Sequence, residues 1–281
     1  MDWITKLNST IDYIEEHLKD EIDYCALAKI ACCSSYHYQR MFAYMAGVPL
    51  SEYIRRRKMT LATVDLQMGA KIIDVALKYG YASPTSFNRA FQSINGVPPS
   101  MAKENGTKLK SYSKISFIIT IKGAEKMDYK IEKKEAFRIV GISANLEKDT
   151  EKNFQVVPKM WSKALSDGTI GKLSELMNNE PMGMLGVSTF EENGNGKYFI
   201  AVSTTSPQQN GFEQYAISAN TWAIFSGKGT AISIQELEKR IFTEWLPNSG
   251  YEYANAPDIE VYKDPDPNNG TYEVWIAVTK K

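Results

Sequence analysis

The chain has 281 residues, 43% of them apolar, and 33 Lys and Arg balance 33 Asp and Glu to a formal net charge of zero. That length accommodates two domains of ordinary size, and that apolar share builds real cores, which excludes a disordered chain. No apolar run approaches the roughly 18 residues of a membrane span. The two histidines leave little material for a His-based metal site or catalytic triad, so neither a metal nor a cofactor is expected.

Met1-Asp2-Trp3-Ile4-Thr5 carries no basic stretch ahead of an apolar core, so no secretory signal is read there and a cytoplasmic location is expected. Tyr24 to Ala31 reads as a helix with Leu27, Ala28 and Ala31 on one face. Cys32 and Cys33 make a turn, and Ser34 is placed to cap the next helix. That helix, about residues 35 to 45, buries Tyr38, Met41 and Phe42 at helical spacing and leaves Tyr36, His37, Gln39 and Arg40 on its other face. The three cysteines, Cys25, Cys32 and Cys33, are read as reduced packing residues.

Tyr53 to about Met68 reads as one long helix carrying Arg55, Arg56, Arg57 and Lys58. Then the pattern returns. Ser34-Ser35-Tyr36-His37-Tyr38-Gln39-Arg40-Met41-Phe42, followed by Gly47-Val48-Pro49, recurs forty-nine residues later as Ser83-Pro84-Thr85-Ser86-Phe87-Asn88-Arg89-Ala90-Phe91 and Gly96-Val97-Pro98. In this second copy Ile72, Ile73, Ala76 and Leu77 are expected to form the packed face of the first helix. Gly80-Tyr81 is the turn, Ser83-Pro84 starts the second helix, and Phe87 and Phe91 are its buried stripe. A repeat of this size is one supersecondary unit used twice, here a helix-turn-helix whose second helix is presented outward. Arg, Gln and Asn are side chains that read base edges, and a helix fits the major groove. From Lys29 to Lys110 there are twelve Lys/Arg against four Asp/Glu, so the neutral whole conceals a basic module suited to phosphate contact.

A polar stretch from about Lys103 to Lys114 reads as a linker. Ile115 to Ile121 is expected as a strand, and further strands are expected at Met127–Ile131, Phe137–Ala144, Met182–Phe190 and Lys197–Thr204. Val156–Leu165 reads as a helix, and Asn193-Gly194-Asn195-Gly196 as a hairpin turn. The order then begins again with strands at Phe212–Ser218 and Thr221–Ser226, a helix at Ser233–Trp245, and strands at Asp258–Tyr262 and Thr271–Thr279. The echo of Lys197–Ser203 in Glu273–Thr279 makes this part a duplicated β-β-α-β-β unit. Strand alternation puts Ile200, Val202, Val274, Ile276 and Val278 against helices. Phe199, Ala201, Glu273, Trp275 and Ala277 share the other face. A carboxylate among aromatic walls suits a cationic or hydrogen-bonding ligand.

The first hundred residues resemble the DNA-binding domain of the AraC/XylS family of transcription regulators, with His37–Phe42 close to the first recognition helix of its Rob/MarA/SoxS subgroup. The resemblance implies base contacts from Tyr36, Gln39 and Arg40 in one helix and from Pro84, Thr85 and Arg89 in the other, with Arg55 on the linker helix. Tyr36 stands where the subgroup has tryptophan, Pro84 removes a polar side chain, and Met101-Ala102-Lys103 replaces a tyrosine-arginine ending. Residues 127 to 281 resemble the GyrI-like effector-binding domain, through Met127–Ile131, Phe137–Ile142, the Trp161 helix, Pro257–Tyr262 and Tyr272–Val278. That implies a groove for a lipophilic small molecule, with Glu273 pointing into it beside Trp275 and Phe199, and Trp161, Met160 and Trp222 as further wall candidates.

The expected architecture is therefore an all-α double helix-turn-helix domain with homeodomain-like repeats (residues 1–105). A linker with a possible extra strand follows (106–126), and then an α+β GyrI-like domain of two β-β-α-β-β repeats (127–281), in the Rob-like order. The expected protein is a non-enzymatic, sequence-specific regulator, an activator, that takes double-stranded DNA at an asymmetric site of two major-groove segments. Its other partners are a small lipophilic effector and RNA polymerase, with no membrane. The alternative is a GyrI-like hydrolase in which Glu273 acts as general base.

Overall fold

In the computed structural model, residues 3–33, 35–118, 126–146, 150–190, 196–207, 210–254, 256–264, 266 and 269–281 are described. Two compact units emerge: Met1–Ala31 with Phe42–Ile118, and Cys32–Met41 with Ile119–Lys281. The expected capping role of Ser34, the hairpin turn at Asn193–Asn195 and residues 119–121 of the expected strand lie outside the described residues.

The helical elements are α1 (Trp3–Glu16), α2 (Tyr24–Ala31), α3 (Ser35–Ala46), α4 (Leu50–Gln67), α5 (Ile72–Lys78) and α6 (Pro84–Asn95), closed by a 3₁₀ turn at Pro99–Lys103. Helix α6 has complete local punctuation. Ser83 accepts from the Ser86 amide at 3.2 Å, Pro84 sits in the first turn, and Gly96 ends the helix at φ 78°, where a side chain would be strained. Phe87 and Phe91 are fully buried with Met59, Ala62, Leu66, Val75, Ala76 and Tyr79. The packed face of α5 differs from expectation: Ile73 and Leu77 are exposed, and Ile72, Val75, Ala76 and Tyr79 face the core. That set has i, i+3, i+4, i+7 spacing, so the true stripe is rotated from the expected one.

Residues 115–118 form no strand. The stretch from Lys108 to Ile118 is instead tied down by side chains that satisfy its backbone. Lys110 N donates to Asn95, Tyr112 N to the Thr60 hydroxyl, and Phe117 exchanges two bonds with the Asn8 amide at 2.8 and 2.9 Å. An Asn amide can donate and accept at once, so one side chain replaces a strand partner.

In the second unit the elements are β1 (Tyr129–Lys134), β2 (Phe137–Leu146), α7 (Thr150–Ser166), α8 (Thr169–Leu176), β3 (Met184–Phe190), β4 (Gly196–Ser203), β5 (Glu213–Ile217), β6 (Asn220–Gly229), α9 (Ala231–Arg240) running into a π-helical turn (Ile241–Trp245), the short α10 (Leu246–Asn248), β7 (Tyr251–Tyr253), β8 (Asp258–Tyr262) and β9 (Gly270–Lys280). The strands make an antiparallel sheet in the order β1-β6-β9-β8-β3-β4-β2-β5, with β7 also pairing β9. The duplication is real but interleaved: β1 pairs with β6 of the second repeat, and β5 pairs back onto β2 of the first. Each repeat lends its first strand to the other.

The expected two faces are present. Ile200 and Val202 pack with Ala164 and Leu173 of the helices. On the opposite face Phe199, Ala201, Trp275 and Ala277 join Leu185, Val187, Ile259 and Val261. No helix among the described residues is long and apolar enough to cross a membrane.

Candidate functional site

Helix α6 presents Pro84, Thr85, Ser86 and Arg89 to solvent, because Phe87, Phe91 and Ile94 turn its apolar stripe into the core. On α4 the cation block is divided by its partners. Arg55, half exposed, and Arg56 both pair with Glu52, while Arg57 is held by Glu15 at 2.7 Å and by the Tyr112 carbonyl. Lys58 donates to the Asp20 and Tyr79 carbonyls, each at 3.2 Å. Arg57 and Lys58 thus serve the first unit itself, and Arg55 is the most exposed arginine of the run.

The first half of α3 has a different environment. Tyr36, His37, Gln39 and Arg40 were expected on an open face, but His37 and Gln39 are each only 2% exposed. The reason is that Cys32–Met41 belongs to the second unit, where it lies over the central strands. There, the antiparallel registers put Tyr198, Ser188 and Asp258 in one cross-sheet row, and Ile200, Gly186, Glu260 and Val274 in the next. Asp258 and Glu260 alternate with Ile259 and Val261, so both carboxylates stand on the face away from Trp275. Gly186 makes room for two of these side chains: a Cβ there would collide with the Tyr198 hydroxyl and with Glu260 Oε2. Glu238 enters from α9 on the same buried stripe as Ile234 and Ile241.

Into this acidic groove Arg40 points its guanidinium. Its Nη2 lies 2.5 Å from Glu238 Oε1 and 3.8 Å from Glu260 Oε1, and its Nη1 lies 3.9 Å from Asp258 Oδ2. Arg40 also sits over the Tyr36 ring, 5.6 Å from its centroid, in cation–π range. His37 Nδ1 is 3.0 Å from Asp258 Oδ2. Its ring stacks on Tyr253 at 3.8 Å and meets Phe242 edge-on at 4.7 Å. The tyrosines complete the wall. Tyr262 and Tyr198 donate to Glu260 Oε2 at 2.8 and 3.4 Å, Tyr253 donates to Asp258 at 3.0 Å, and the Trp161 indole donates to the Tyr198 hydroxyl at 2.9 Å.

Three carboxylates surround one guanidinium, and burial competes with that pairing at Glu260 and Asp258. Burial, then the charge of Glu238, pushes the Glu260 carboxyl up to about 7, against the opposing pull of Arg40 and the two tyrosines. Burial also opposes ionisation of Asp258, but His37, Arg40 and Tyr253 outweigh it and hold that carboxyl below its usual range. Burial raises the Tyr198, Tyr253 and Tyr262 phenols well above their ordinary value, so they act as donors. A carboxyl whose ionisation is opposed, beside one held ionised, lets a single groove select both hydrogen-bonding and cationic partners.

The six residues expected to line an effector site are divided by the sheet. Trp161 and Met160 lie on the helix face with Tyr198. Phe199, Trp222 and Trp275 lie in the core of the other face, each at most 3% exposed; Trp222 and Trp275 are 5.9 Å apart, and the buried Trp222 N–H finds no hydrogen-bond partner among the described residues. Glu273 accepts from Lys263 at 2.5 Å and from the Trp275 indole at 2.9 Å. Sequence reasoning missed Glu238, Asp258, Glu260 and Tyr253. Carboxylates alternating with β-branched residues in Asp258-Ile259-Glu260-Val261 were the available signal.

Residues 130–278 match the model of the integron-associated effector binding protein family, Cass2, and residues 27–105 match that of a helix-turn-helix domain. The HTH-type transcriptional activator AarP of Providencia stuartii is 33% identical over 102 residues, covering 36% of this chain and 76% of that protein. The chain belongs to the AraC/XylS family of transcription regulators, with a GyrI-like effector-binding domain of the Cass2 family. The transcriptional regulator Rob of Salmonella typhimurium is 22% identical over 274 residues, 93% of this regulator and 91% of Rob. Among solved structures, SAV2435 bound to tetraphenylphosphonium is 21% identical with a TM-score of 0.48, over 54% of this chain and 94% of that one.

Proposed function

We propose that this regulator is an effector-responsive activator. In this reading residues 1–105 read DNA, 106–126 connect, and 127–281 sense a lipophilic small molecule. Helices α3 and α6 enter successive major-groove segments of an asymmetric site, Arg40, Gln39 and Tyr36 in one and Arg89 and Thr85 in the other, and Arg55 contacts phosphate. RNA polymerase is the partner through which bound protein activates.

The observation that carries the sensing half is the acidic groove walled by Tyr198, Tyr253, Tyr262 and Trp161. Buried carboxylates in an aromatic frame favour cationic lipophiles over anions of equal size, because an unpaired buried charge is costly. The effector is placed on this face of the sheet, with Trp161 and Met160 in its wall. Glu273 and Trp275, with Phe199 and Trp222 behind them, form the competing placement on the other face.

Thermal shift of the full chain against paired lipophiles of equal shape, one cationic and one neutral, tests this reading. Cations should raise the melting temperature more, and Glu260→Gln should reduce that preference while Glu273→Gln leaves it. The reverse result moves the site to the Glu273 face; no response to either substitution overturns both placements. On DNA, Arg89→Ala should cost about 1–3 kcal/mol at a site selected from random sequence and relax base preference there.

A further inference from the structure

We propose that the acidic groove is a latch for the protein's own recognition helix: Tyr36, His37 and Arg40 occupy it, and a ligand that fills it sets them free to read DNA. This rests on reading α3 as a DNA-reading helix and the groove as the effector site.

The helix-turn-helix scaffold does not require this placement. It needs Tyr38, Met41 and Phe42, and all three are buried at 1% exposure or less. The residues left over would suit water or DNA, yet His37 and Gln39 are as buried as the core and the Arg40 side chain is only 12% exposed. The equivalent side chains of the second copy, Ser86 and Arg89, are exposed. The difference therefore comes from what the groove offers. Glu238, Asp258 and Glu260 surround the guanidinium, Tyr253 and Phe242 bracket the imidazole, and Ser188 bonds the Tyr36 hydroxyl. The groove holds a cation and two rings at once, so its occupant is specified as a cationic aromatic group.

A guanidinium buried against carboxylates cannot at the same time lie against a guanine edge or a phosphate. Occupancy of the groove by Arg40 and major-groove reading by α3 are mutually exclusive, which is the differential binding that allosteric coupling requires. A small cationic aromatic ligand competes with Arg40 for the same carboxylates and tips the balance toward the reading state. The arithmetic is simple: a latch closed nine-tenths of the time weakens apparent DNA affinity about tenfold.

The test uses the full chain without added ligand. Glu238→Gln combined with Asp258→Asn weakens the hold on Arg40 and His37 and leaves α3 and α6 unaltered. DNA affinity is measured by fluorescence anisotropy on a site selected from random sequence, and amide exchange over residues 36–41 by mass spectrometry. The variant should bind about tenfold tighter than the parent and exchange those amides faster. Equal affinity with equal protection overturns the latch, whereas loss of binding by parent and variant alike overturns the DNA-reading assignment instead. Should the double substitution unfold the sheet, Arg40→Ala answers by exchange alone: residues 36–41 should lose protection while β8 keeps it, and unchanged exchange overturns the proposal.

Discussion

Helices α3 and α6 are copies of one sequence pattern that meet different surroundings. Both bury the same stripe, Tyr38 and Phe42 in one and Phe87 and Phe91 in the other. Helix α6 then leaves Thr85 and Arg89 in solvent, while α3 buries His37 and holds Arg40 among three carboxylates. The comparison teaches that an internal repeat specifies the scaffold face of a helix and not the fate of its polar face. The scaffold face packs on the first unit's own helices and tail, Phe42 against Tyr53 and Phe117 and Phe87 and Phe91 with Met59, Ala62 and Leu66, whereas the polar face of α3 is set by residues 198 and 221 positions away.

The sharpest way to break that comparison is to remove each arginine and measure folding stability. Arg40→Ala leaves buried carboxylates without their cation and should cost about 3 kcal/mol in denaturant unfolding of the second unit. Arg89→Ala, at an exposed site, should stay within about 0.5 kcal/mol. Equal costs would mean that the two helices share one environment.

A second effect is set by pH. Glu260 titrates at about 7 in the folded protein, against an ordinary value of 4.5. The folded state therefore holds an extra proton between those values, and stability should fall as pH rises through that window, by roughly 3 kcal/mol, and level off above it. The groups facing this carboxyl are Glu238, Arg40, Asp258, Tyr198 and Tyr262. Glu260→Gln should flatten the slope between pH 4.5 and 7. The depressed Asp258 works in the opposite sense and only below its ordinary value of 3.8, so the two windows separate. A slope that survives in Glu260→Gln would assign it elsewhere.

Smaller effects sharpen the view of the exposed copy. Ser83→Ala removes the cap of α6 and should cost about 1 kcal/mol. Arg55→Ala should change stability by less than about 0.5 kcal/mol, because its pair with Glu52 is half exposed. If Arg55 touches phosphate, the same variant should lower the salt slope of DNA binding by about 0.9; an unaltered slope would turn that residue away from DNA.

Legibility from sequence followed the range of the determinants. The start and the phenylalanine stripe of helix α6 could be read, because cap, proline and aromatic spacing are local. The stripe on α5 could not, since a seven-residue helix carries two apolar sets at helical spacing and only its packing against α4 decides between them. The strand faces followed from alternation, but the importance of Asp258 and Glu260 did not. Their carboxylates look solvent-facing until β8 is known to lie between β9 and β3, with both faces covered. Glu238 was hidden for a similar reason, since Glu236 and Glu238 flank Leu237 alike in the sequence and only the packing of α9 buries the second of them.

The exchange of first strands between the two C-terminal repeats means that neither repeat is a finished object. Without the second, β2 would present a bare hydrogen-bonding edge where β5 should lie, and β1 would have no host. A polypeptide ending between β4 and β5 would satisfy that edge only by taking a strand from a second copy, which makes dimerisation by swapping the natural outcome for a half-length fragment. The sensor thus has the topology of a swapped dimer sealed into one chain, and both of its halves must be made before either can close.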